Sequence, residues 1–120
     1  MTTPYERDNI DLTVTYQGSV PTFGGFDAAD FILQRPHQPA IECNLGLAQD
    51  ARALLESHIG KLDDSGIQTL LRVIAARYYL ATITRGENVQ AITLLRANNI
   101  QSDEIEEIVR DTSKSLKDKG

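Results

Sequence analysis

The side chains of this chain that could do chemistry are few and scattered. There is one cysteine, Cys43, and there are two histidines, His37 and His58. A reactive thiolate needs a cation or base close by, and no basic residue neighbours Cys43 in sequence. It reads instead as a small buried apolar group. A zinc site needs a close cluster of His, Cys and carboxylate ligands, and the two histidines lie far apart with no such cluster around either. His58 falls near a predicted helix C-terminus, where a cation is favourable. Gly24 and Gly25 precede neither a lysine nor an immediate helix start, so they do not make a phosphate loop. Serines, histidines and aspartates occur without an elbow or triad motif. The expectation is a protein that is not an enzyme and carries no metal and no cofactor.

Two sets of charged residues stand out against this background. The first is Arg77, on the longest predicted helix. On a helical wheel it falls between one apolar face through Leu70 and another through Val73 and Leu80. A guanidinium in such a place calls for a partner. A carboxylate from a neighbouring helix or from the acidic N-terminal arm would serve. So would an anionic small ligand, with Tyr78 or Tyr79 stacking against it. Arg72, on the polar stripe of the same helix, belongs to this ligand or partner set. The second set is an acidic face made by Asp103, Glu104, Glu106, Glu107 and Asp111. It reads either as a surface for a partner or as a solvated helix N-terminus complementing the helix dipole. Residues 88–112 resemble a helix–turn–helix in outline. Carboxylates crowding the start of the second helix would repel a phosphate backbone, so direct nucleic-acid binding is not expected.

The elements that must position these residues follow from proline placement and periodicity. All four prolines, Pro4, Pro21, Pro36 and Pro39, lie in the first third of the chain. Proline breaks helix interiors, so helices are expected only after them. The division is an N-terminal arm, 1–43, packed on a helical body, 44–120, in a single domain. Residues 11–17 alternate apolar and polar, as a half-buried strand does. Residues 20–26 read as a loop. Residues 30–34 are either a strand or a helical turn, residues 35–39 are extended by their prolines, and residues 40–43 make a short third strand.

From about Leu45 the spacing becomes helical. A first helix ends at Gly60. A second runs from about Asp64 to Arg85, with Asp63 as N-cap and Leu62 and Ile67 as a hydrophobic staple. Its main apolar face is Ile67, Leu70, Leu71, Ile74, Tyr78 and Ala81, and Tyr79 falls on its polar stripe with Gln68 and Arg72. Residues 88–99 read as a third helix. Ser102 caps a fourth, whose stripe is Ile105, Ile108, Val109, Thr112 and Leu116. The fold class expected is therefore α+β, mainly α: two or three short strands followed by a four-helix, bundle-like body.

Composition sets the outer limits. A length of 120 residues, 41% hydrophobic and 24% charged, is ordinary for one globular domain. No apolar run reaches the roughly 20 residues that span a bilayer. The first residues contain no apolar signal-peptide core, and one cysteine suits a reducing compartment, so a cytoplasmic protein without membrane contact is expected. The net charge is −5. The acidity is concentrated in the arm, where Arg7 and Arg35 face six carboxylates. Five of the seven aromatics (Tyr5, Tyr16, Phe23, Phe26, Phe31) also lie there. Such aromatic content calls for burial, on the chain's own helices or on a second subunit. The functional expectation is a small acidic protein-interaction or regulatory protein, an inhibitor or adaptor, whose partner is another protein. The alternatives are an oligomer that binds or sequesters a small anionic ligand and an assembly protein of a larger particle. A homo-oligomer is expected in each case.

Overall fold

The computed structural model describes residues 11–20 and 26–119. Strand β1 (Thr13–Val20) is followed by β2 (Asp27–Gln34) and β3 (Ile41–Leu47). Helices α1 (Gln49–Ile59) and α2 (Asp64–Thr84) come next. A fourth strand, β4 (Ile92–Leu95), a 3₁₀ turn (Ala97–Asn99) and helix α3 (Ser102–Lys119) complete the order. The strands form one sheet in the order β1-β2-β3-β4, and the described residues hold three α-helices. The four-helix body is therefore overturned. Residues 88–99 are not a helix, and Leu45 to Leu47 belong to β3 rather than to the first helix.

The alternation that defines β1 carries through the meander. β1 and β2 pair antiparallel, with Val14 opposite Leu33 and Tyr16 opposite Phe31. β2 and β3 pair antiparallel, with Phe31 opposite Cys43 and Ala29 opposite Leu45. Period-two geometry sends these side chains to one face. On that face Ala29, Phe31, Leu33, Cys43, Leu45 and Leu47 are all buried. Residues 30–34 are thus strand. Gly18 lies inside β1, not beyond it. The pairing slips between Tyr16 and Gly18, leaving Gln17 as a bulged residue. Gly18 holds φ at 140°, which suits a residue without Cβ. Residues 35–38 turn rather than run extended. Gln38 N–H donates to the Arg35 carbonyl at 3.3 Å, and His37 takes φ 64°.

Helix α2 lies across the buried face of the sheet. Asp63 caps it, its carboxylate accepting from Gly66 N–H at 2.8 Å. Leu62 and Ile67, on either side of the cap, are both buried. Ile67, Leu70, Leu71, Ile74 and Ala75 meet the sheet's apolar side in one core. Two details of the expected helical wheel change. Tyr79 is fully buried, while Tyr78 is only half-buried. The surface bearing Ala76 and Leu80 faces solvent. Arg72 packs its guanidinium 4.6 Å from the centre of the Tyr16 ring and so ties α2 to β1. Arg52 of α1 does the same for β2 through Asp27, at 3.1 Å. Gly60 ends α1 with φ 106°. Ser102 is the first residue of α3 rather than its cap. Gln101 precedes it, its N–H donating to the Glu104 carboxylate at 2.9 Å.

The expected aromatic arm is partly answered. Tyr16 and Phe31 meet edge to face at 5.8 Å, and Phe31 meets Tyr79 at 6.3 Å. The arm's strands are therefore part of the chain's own core. Tyr5, Phe23 and most of the 20–26 loop lie outside the described residues.

Two substitutions test this packing in urea unfolding. Phe31→Ala, at the centre of the aromatic line, is expected to cost about 3–5 kcal/mol. Asp63→Ala is expected to cost about 1 kcal/mol through the lost cap, and Asp63→Asn much less.

Candidate functional site

β4 runs parallel to β3, with Leu45 opposite Thr93 and Leu47 opposite Leu95. A parallel neighbour needs a long crossover, and α1 and α2 together provide it. Asn44 N–H donates to the Ala91 carbonyl at 2.8 Å, and Ala48 N–H donates to the Leu95 carbonyl at 2.9 Å. The run Ile92-Thr93-Leu94-Leu95 is aliphatic and β-branched, which suits a pleated, half-buried surface. A turn then redirects the chain: Arg96 N–H donates to the Asn99 side-chain carbonyl at 2.9 Å. The Asp50 carboxylate, accepting from Ala97 N–H at 3.2 Å, fastens that turn to the start of α1.

Between β4, the second half of α2 and the start of α3 lies a cleft of about 630 Å³. Its apolar lining comes from Ile74, Tyr78, Ala81, Leu95, Ile100 and Ile108, with Leu94 of the edge strand at its border. Its polar rim comes from Arg77, Arg85, Asn99, Gln101, Asp103 and Glu104. No residue of β3 lines it, so it opens on the far side of β4. On the outer face of the sheet Ile92 is 75% exposed and Leu94 38%. Leu94 and Phe26 both lie over Gly46, close enough that an added Cβ there would meet each at 3.2 Å.

Arg77 has its partners on α3. Its guanidinium pairs with the Glu107 carboxylate and lies 3.6 Å from that of Asp111. About a third of the Arg77 side chain is exposed, and nearly half of each carboxylate side chain is. The pair holds α2 against α3 and leaves little positive charge to offer. Arg85 is likewise bound, to Glu87 at 2.9 Å, and that hydrogen bond raises its pKa further. Counted with these partners, the rim is net acidic.

Cys43 and Tyr79 form a separate buried pair beneath the sheet. Burial pushes the Cys43 thiol up, the Tyr79 hydroxyl partly offsets that, and Asp30 raises it further. Its Sγ donates weakly to the Phe31 carbonyl at 3.7 Å. Burial also pushes Tyr79 far above the ordinary phenol range, with Cys43 adding to the effect. The Tyr79 hydroxyl is buried beside Cys43 and makes no other side-chain or backbone hydrogen bond among the described residues. Neither group is set up for nucleophilic or acid–base work.

The residues singled out from the sequence are therefore divided. Arg77, Tyr78, Asp103 and Glu104 meet at the cleft, with Glu107 and Asp111 behind Arg77. Glu106 is exposed and outside the lining. Arg72 is engaged on β1 and Tyr79 is in the core. The β4 residues were missed because residues 88–99 read as helix. A four-residue apolar run fits either period, and its β-branched Ile92 and Thr93 were the available hint. Among the described residues no three His, Cys, Asp or Glu side chains gather for a metal, and no helix is long and apolar enough to cross a membrane. Comparison with protein-family models, curated proteins and solved structures finds no match to this chain.

Two measurements check these pairings. A double-mutant cycle of Arg77→Met with Glu107→Gln is expected to give a coupling of about 0.5–1 kcal/mol that shrinks in high salt. The Cys43–Tyr79 pair sets an alkaline limit. Ordinary values are 9.0 for the thiol and 10.0 for the phenol, and both are raised in the fold. Their neutral forms therefore favour the folded state fully below pH 9.0, and that advantage is lost as pH rises beyond it. Urea midpoints measured upward from about pH 8 are expected to fall less steeply for Cys43→Ala/Tyr79→Phe than for the natural chain.

Proposed function

We propose that this is a non-enzymatic protein-interaction protein, an inhibitor or adaptor, that engages another protein through the β4 side of the molecule. The observation that carries the reading is the exposed apolar pair Ile92 and Leu94 on an edge strand, set beside a net-acidic cleft rim. Exposed apolar groups bordered by polar ones are the composition of a protein contact surface. Asp103, Glu104 and the α3 carboxylates behind them supply the electrostatic side of that surface, steering a basic partner.

The alternative of a small anionic ligand at Arg77 has less support. Glu107 and Asp111 already engage the two terminal nitrogens of that guanidinium, only its buried Nε is without a partner among the described residues, and Asp103 and Glu104 stand at the same opening. An anion entering there would have to displace one carboxylate and face three others. Homo-oligomerisation and a role in assembling a larger particle remain compatible with the same exposed pair, since that pair would serve a second copy as well as a foreign chain.

Three readouts separate these cases. Inorganic phosphate, citrate and nucleotides at millimolar concentration are expected to leave the melting temperature within about 1 °C, whereas a rise of several degrees would favour the anionic ligand. Light scattering at two concentrations tests self-association: mass that grows with concentration would point to assembly. Affinity capture from source cells with the natural chain and with Ile92→Ser/Leu94→Ser is expected to show a partner held by the first and lost by the second. Equal capture by both would move the contact surface away from β4.

A further inference from the structure

We propose that the partner is held by strand addition: an extended segment pairs with the open edge of β4, places a large apolar side chain in the cleft and sets a lysine or arginine against the start of α3. This rests on the protein-interaction reading above and specifies its chemistry.

The backbone comes first. In a parallel ladder, alternate residues of a strand direct both backbone groups to one neighbour. The bonds from Asn44 to Ala91 and from Ala48 to Leu95 place the odd-numbered residues of β4 on the β3 side. The N–H and C=O groups of Ile92 and Leu94 therefore point away from the sheet. β4 ends the strand order, so among the described residues no strand takes them up. A row of donors and acceptors at strand spacing is complementary to another extended backbone. The other edge is less suited, because β1 carries its bulge at Gln17.

Side chains of an added strand would alternate between the two faces. Those level with Ile92 and Leu94 would lie on the outer face, against exposed aliphatic surface. The one level with Thr93 would turn inward to the cleft, where Ile74, Tyr78, Ile100 and Ile108 wait. That cleft, about 630 Å³, is of a size that accepts a whole side chain or more. A second copy of β4 pairing about Thr93 would offer only its own threonine at this position, which leaves the cleft largely unfilled. The occupant favoured is thus a foreign segment with an aromatic or long aliphatic residue. Its charge follows from the rim. Arg77 and Arg85 are paired with Glu107 and Glu87; Glu104 also feels the charge of Arg85, while Asp103 has no cation in ion-pair contact among the described residues, so the rim keeps an excess of negative charge. A basic residue two positions from the apolar anchor would share its face and meet that charge.

The test uses the full chain and a fluorescent nonapeptide whose core reads lysine, valine, phenylalanine, valine, lysine. Anisotropy is expected to show saturable binding. At least a tenfold loss is expected when the phenylalanine and both valines are N-methylated, since that removes donors in either strand orientation. Asp103→Asn is expected to weaken binding severalfold and to lower its salt dependence. Leu94→Pro removes an edge N–H that the fold does not use and is expected to lose at least tenfold. Amide exchange on the natural chain makes the test independent of that variant's folding: the Ile92 and Leu94 amides should exchange fast in the free protein and slow severalfold on peptide addition. No binding up to millimolar peptide, equal binding of the N-methylated peptide, or edge amides already protected in the free protein would each overturn strand addition. If strand addition fails while Ile92→Ser/Leu94→Ser still abolishes partner capture, the partner rests on the outer sheet face and the broader reading stands.

Discussion

The packing of α2 on the sheet through Tyr79 and Phe31 is the contact on which the rest of the molecule depends. Tyr16, Phe31, Tyr79 and Tyr78 follow one another in edge-to-face contacts from β1 through β2 into α2. These rings join the first strand to the helix that crosses the whole buried face. Each contributes area burial, and the offset ring geometry adds about 0.5–1.5 kcal/mol per pair. With α2 held there, the chain leaves it at Arg85 and Gly86. Residues 92–95 then pair with β3, and the return through the 3₁₀ turn brings α3 back onto α2.

The cleft is a consequence of that path. β4 is four residues long and ends the sheet. α3 packs on α2 and is fastened there by Arg77 with Glu107 and Asp111. A strand on one side and two helices on the other leave a trough with an apolar floor and a charged margin. The same ion pairs that hold the helices together remove the positive charge that a guanidinium would otherwise give the site. One set of side chains thus supports the structure and sets the sign of the surface.

The sequence by itself determined a good deal. The alternation in residues 11–17 placed β1. The spacing from Ile67 to Ala81 placed α2, and the Asp63 cap and Gly60 terminus were readable because short polar side chains and glycine act locally on the backbone. That Arg77 needs a partner was readable from the helical wheel; whether a carboxylate or an anionic ligand would serve was not, and the structure supplies Glu107 and Asp111. Local signals sufficed for what was readable because each depends on residues within a turn or two.

What tertiary structure alone decided is the fate of residues 88–99 and of the two tyrosines. Val89, Ile92 and Leu95 recur at a helical spacing, and only the open edge of β3 makes the extended form the better one, by offering the backbone partners a helix would have found internally. Tyr79 rather than Tyr78 is buried because Phe31 and Cys43 of the sheet stand beneath it, which no wheel drawn for a lone helix contains. The cleft has the same origin. Its walls come from segments far apart in the chain, and a space between elements has no signature in any one of them.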